Sequence, residues 1–115
     1  MELAKTYGLT HLAITVNDIS GTLKFYWHVF DMEVMYHEKN MIQLTTPRCN
    51  DILVFQVGKI KSTGETGGIA HFGFRLRKAD DIEDLYKKIV ESGGSIIDRG
   101  EFVPGAILNA SGWQR

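Results

Sequence analysis

Leu9-Thr10-His11-Leu12-Ala13-Ile14-Thr15-Val16 decides the reading of this chain, because Ile69-Ala70-His71-Phe72-Gly73-Phe74-Arg75-Leu76 repeats it 60 residues later. Both runs alternate with the period of two that a strand requires. In the first, Thr10, Leu12, Ile14 and Val16 make the better core face, and His11 lies opposite beside Ala13 and Thr15. In the second, Ala70, Phe72, Phe74 and Leu76 face the core, and His71 shares the other side with Gly73 and Arg75. Each imidazole therefore has small neighbours and space above the sheet.

A helical stretch follows each strand. Asp18 is placed to cap a helix over about residues 18–30, with Ile19, Leu23, Tyr26 and Phe30 on its apolar stripe. Asp80 or Asp81 caps a second helix with the stripe Ile82, Leu85, Tyr86, Ile89 and Val90. Gly93-Gly94 ends it, supplying the left-handed geometry that glycine adopts cheaply. The 60-residue shift also superposes Phe25 on Leu85, Tyr26 on Tyr86, Val29 on Ile89 and Phe30 on Val90. Between the copies, short strands are expected over about 33–38, 41–46 and 51–57, with turns at Asn40 and residues 47–50. Residues 95–98 read as one more strand.

This is a duplicated βαβββ unit and not a solenoid, since there are only two copies. The expectation is an α+β fold in a single domain over residues 1–115. Unit one spans about 7–58, a Gly-, Lys-, Ser- and Thr-rich connector about 59–67, and unit two about 68–115. Unit two is expected to lack its final strand. Gln56, in the closing strand of unit one, maps by the same shift to one position past Arg115. Around there stand at most a short strand at 106–108 and a turn-like Asn-Ala-Ser-Gly.

Composition bounds the function. A chain of 115 residues, 43% hydrophobic and 23% charged, is ordinary for a globular domain. A net charge of −1 and scattered basic residues give no footprint for nucleic acid or an anionic membrane. No apolar run approaches the length of a membrane span, and the first residues lack a signal-peptide core. Cys49 is the single cysteine, so no internal disulfide forms; that fits a cytoplasmic setting. Without a base beside it in sequence, Cys49 reads as an incidental loop thiol.

The whole pattern resembles the vicinal oxygen chelate superfamily of glyoxalase I, bleomycin-resistance proteins, fosfomycin-resistance enzymes and extradiol dioxygenases. The resemblance rests on residues 9–18, on Phe25-Tyr26 followed by Met32-Glu33-Val34, and on Gly68-Ile69-Ala70-His71-Phe72-Gly73-Phe74. It continues through Gly93-Gly94 to Gly100-Glu101-Phe102 and covers about residues 7–105. It implies the glyoxalase/bleomycin-resistance fold and a divalent metal (Zn, Ni, Mn or Fe) held by His11 and His71, with Gln56 at the place of the first glutamate. The fourth ligand would lie on the missing strand. Asp31 replaces the glycine often found after the first helix.

All three assignable donors are neutral, so an ion there keeps its full charge unless water, hydroxide or an outside carboxylate joins it. Arg75 is placed to hold an anionic substrate group by a charge-assisted bond, against the alternative of a solvated arginine. Trp27 and His28 read as core or subunit packing, His37 as a surface strand residue, and Glu101 as a remote carboxylate candidate. The resemblance implies a lyase, isomerase or dioxygenase acting on a small molecule with vicinal oxygens, through Lewis-acid stabilisation of an anion. No residue is assignable as the base. The alternatives are a metal-free cup that sequesters a ligand, as in bleomycin resistance, and an inactive truncated copy. Unpaired strand edges lead to the expectation of a homodimer, or of cover from residues 105–115 with Trp113 as anchor.

Overall fold

The apolar stripes read from the sequence are the faces that meet. The computed structural model describes residues 3–58 and 71–97 and the backbone of 107–109. Unit one contains β1 (Leu12–Val16), α1 (Ile19–Phe30), β2 (Glu33–Glu38), β3 (Met41–Thr45) and β4 (Leu53–Val57). Its four strands form one sheet in the order β1-β4-β3-β2. The β1–β4 pair is parallel, as a strand–helix crossover demands, and the other two pairs are antiparallel. A bulge between Val34 and Tyr36 interrupts the β2–β3 register.

One sheet face packs on α1. Val16, Leu53, Phe55, Ile42 and Leu44 meet Phe25, Tyr26 and Val29 there, with Met32 closing the end. Tyr26 and Phe55 are fully buried, with ring centroids 4.7 Å apart. The Tyr26 hydroxyl has no hydrogen-bond partner among the described residues, and burial pushes its pKa far up. α1 stops at Asp31, whose φ of 58° is left-handed; its N–H returns to the Trp27 carbonyl. That conformation is why a glycine suits the position, and aspartate is among the residues that tolerate it.

Unit two contributes β5 (Gly73–Arg75), a 3₁₀ turn (Ala79–Asp81), α2 (Ile82–Glu91) and β6 (Ile107–Asn109). Leu85 and Ile89 of α2 are buried in the same core as α1, while Phe72, Phe74 and Leu76 pack against it from the β5 segment. Phe74 stacks on Phe30 at 4.1 Å and 17° and also lies 6.4 Å from the Tyr26 ring, so aromatic contacts join the two units. Gly93 (φ 94°) and Gly94 close α2 with the paired bonds Gly93 N–H to Val90 O and Gly94 N–H to Ile89 O. Gly94 also lies close to the core: a Cβ there would stand 2.7 Å from Ile89 Cγ2 and 2.9 Å from Phe25 Cε1.

Several expectations are corrected. β1 begins at Leu12 and β5 at Gly73, so the strands are shorter than the alternating runs; His11 and His71 precede them. Asp18 and Asp81 hold the N-cap positions, but neither side chain makes a capping bond. Trp27 is 62% and Val90 58% exposed, because each is turned by one helical step from a buried neighbour. Residues 95–97 are not in a strand. The short strand expected at 106–108 is present as Ile107–Asn109, paired antiparallel with β5. The connector, Glu101 and Trp113 lie outside the described residues.

Candidate functional site

Strand alternation sets which side chains share the sheet face turned away from α1. The cross-strand partners Ala13, Val54, Gln43 and Tyr36 form one row of that face, and Thr15, Gln56, Met41 and Glu38 form the next. His11, one residue ahead of β1, falls on the same face by alternation and is exposed. Its Nδ1 lies 3.0 Å from Thr10 Oγ1. With the hydroxyl oxygen accepting from Nδ1–H, the Nε2 lone pair is left for a ligand. His71 is exposed too, two residues ahead of β5, and Arg75 is exposed within β5. β1 and β5 belong to two different sheets, so the pair of imidazoles comes from the two units.

The register separates Gln56 from His11. Gln56 is the partner of Thr15, four residues along β1 from His11. At a rise of about 3.3 Å per residue that is roughly 13 Å, and side chains standing off a sheet do not lean so far. The β4-side residue level with His11 is Ile52, whose carbonyl accepts the Leu12 N–H at 3.1 Å. Among the described residues, no three His, Cys, Asp or Glu side chains gather in one group. The two imidazoles suit a divalent transition ion by donor type, but the donor set is incomplete and neutral.

Two features of this face were not read from the sequence. Tyr36 donates from its hydroxyl to Glu38 Oε1 at 2.5 Å, and this bond, then the carboxylate's charge, raises the phenol pKa. The spacing of two within β2 was the available signal. The second is the level position of Ile52, which depends on long-range pairing and has no local signature.

The described fold is a strand–helix unit present in two copies, with an imidazole ahead of the first strand of each. The sequence model of the Glyoxalase/Bleomycin resistance protein/Dioxygenase superfamily matches residues 8–102, and the chain belongs to that superfamily. Similar solved structures include the fosfomycin resistance protein FosX from Listeria monocytogenes, complexed with Mn(II) and sulfate: TM-score 0.68 at 16% identity, over 86% of this chain and 74% of that one. A glyoxalase-related enzyme from Fulvimarina pelagi gives 0.64 at 14%, over 93% and 84%. A possible glyoxalase from Bacillus cereus gives 0.64 at 19%, over 78% of each chain. At these identities the likeness shows the fold. A search of curated proteins gives no match.

Proposed function

We propose that this chain is a divalent-metal-dependent enzyme acting on a small molecule with vicinal oxygens, with His11 and His71 as its protein imidazoles. The observation that carries the reading is their equivalent, exposed placement ahead of the first strand of each unit. Mn(II) in the Listeria FosX complex supports a metal in this fold. When bound, the ion supplies Lewis acidity toward adjacent substrate oxygens. Thr10 fixes the His11 tautomer, while Arg75, read from the sequence as the anion contact, lines a separate cleft between α1 and α2. Gln56, two rows along the sheet from His11, serves as a polar contact to substrate and not as a partner of His11 on the ion. The substrate's own oxygens and water complete the shell that the protein leaves open.

A second reading, a metal-free small-molecule-binding protein, is favoured because no three acidic, His or Cys side chains gather among the described residues. Metal analysis separates the two. Untagged protein prepared without chelators is expected to carry about one transition ion per chain, and His11→Ala or His71→Ala to lose it. If excess Mn, Zn, Ni or Fe(II) fails to load the wild type, or loads both variants as well as the wild type, the enzyme reading is lost.

The edges β1 and β2 of the four-stranded sheet have no strand beyond them among the described residues. Unpaired edge N–H and C=O groups are a pairing surface, and the proposal includes a homodimer that covers one of them. Light scattering at micromolar concentration is expected to give twice the 13.0 kDa chain mass, and a monomer there overturns this part. No helix among the described residues is long and apolar enough to cross a membrane.

A further inference from the structure

A cleft of about 570 Å³, with no histidine in its lining, opens between the end of α1, the β3–β4 turn, β5 and α2. Its floor includes the stacked rings of Phe30 and Phe74. Four cations border it: Arg48 from the turn, Arg75 and Arg77 from β5 and just beyond, and Lys88 from α2. Three carboxylates, Asp31, Asp81 and Asp84, also border it, so the rim keeps a surplus of positive charge. Asp84 lies one helical turn before Lys88, which is the spacing of a mutually compensating pair. The surplus therefore falls on the arginines.

Arg48 stands in a conformation that does not suit it. Thr46-Pro47-Arg48-Cys49 is a turn closed by the Cys49 N–H on the Thr46 carbonyl at 3.0 Å, and Arg48 has a φ of 65°. Proline second and positive φ third is the pattern of a type II turn, whose third position favours glycine. Folding alone would be better served by glycine at 48. The arginine instead brings a guanidinium to the rim of the cleft, and retained backbone strain of this kind is a pointer to function.

We propose that this cleft binds a small organic anion, a phosphate or carboxylate carried on an apolar ring. The planar guanidinium forks match the oxygens of such a group, and the Phe30–Phe74 floor takes the ring. Phenyl phosphate titrated into the protein in low-salt buffer, followed by amide NMR shifts or calorimetry, is the test. Saturable binding with a Kd below about 1 mM is expected for the wild type. Arg48→Gly should weaken it at least tenfold while raising Tm, since the turn then holds its preferred residue. Arg77→Gln should weaken it too, and His11→Ala should leave it unchanged. Failure of the wild type to saturate, or binding by Arg48→Gly and Arg77→Gln as tight as the wild type's, would overturn the proposal. Inorganic phosphate binding as tightly as phenyl phosphate would overturn the role of the aromatic floor.

Discussion

Phe55→Ala should cost about 3–5 kcal/mol of folding stability, the range for deleting a fully buried phenylalanine. Phe55 sits at the centre of β4, between β1 and β3, with none of its surface exposed. Its ring meets Tyr26 at 4.7 Å, and the Tyr26 ring in turn lies 5.3 Å from Phe25 and 5.7 Å from Phe30. A cavity at this point removes the contact on which α1 is seated, and the helix cannot close the gap without leaving the sheet. Domains of this kind carry about 5–15 kcal/mol in total, so the loss removes a large share of that margin. It leaves the chain close to half unfolded only at the low end of the range. Urea denaturation followed by circular dichroism gives the loss. Val57→Ala on the same strand, where the valine is 44% exposed, is the control and should cost less than half as much. A loss under about 1 kcal/mol for Phe55→Ala would show that the core is organised elsewhere.

Local pattern and long-range pairing explain what the sequence disclosed and what it withheld. The helix expected at 18–30 is Ile19–Phe30, and the strand expected at 33–38 is Glu33–Glu38. The helix follows from apolar spacing within the segment itself. The strand, exposed at all six residues, follows from its position between turn residues. Neither needs knowledge of partners. The strands expected at 9–16 and 69–76 shrink to Leu12–Val16 and Gly73–Arg75. Alternation continues past the point where a neighbouring strand exists to accept the bonds, and only the ladder sets where a strand begins. Trp27 shows the same limit on a helix. It adjoins Tyr26 in sequence, yet one step of about 100° takes it from the buried stripe to solvent. At the site, the face that carries His11 was legible from alternation. The level of each residue along the sheet was not, because register is a relation between two strands distant in the chain. Gln56 occupies the place that the resemblance assigns to a glutamate, while the ladder sets Ile52 beside His11. The antiparallel β5–β6 pair was likewise beyond any single-segment pattern.

That difference in level makes the second large effect testable by addition instead of removal. Ile52→Glu should raise affinity for Mn(II) or Zn(II) at least tenfold, whereas Gln56→Glu should leave it nearly unchanged. Both substitutions bring the same carboxylate to the same sheet face. One stands level with His11, next to the Leu12–Ile52 backbone bond; the other stands level with Thr15, about 13 Å along the strand. A carboxylate joining two neutral imidazoles lowers the net charge of the shell by one, and ligand charge count is a principal control of cation affinity. Ile52 is only partly buried, and its side chain lies opposite the face that packs on α1, so the exchange does not open the core. Isothermal titration of the two variants and the wild type, each stripped of metal first, reads the contrast directly. Equal gains from both would mean that charge near the site matters more than its place on the ladder. A gain from Gln56→Glu alone would mean that the ion sits two rows away from His11, and the two-imidazole reading would fail with it.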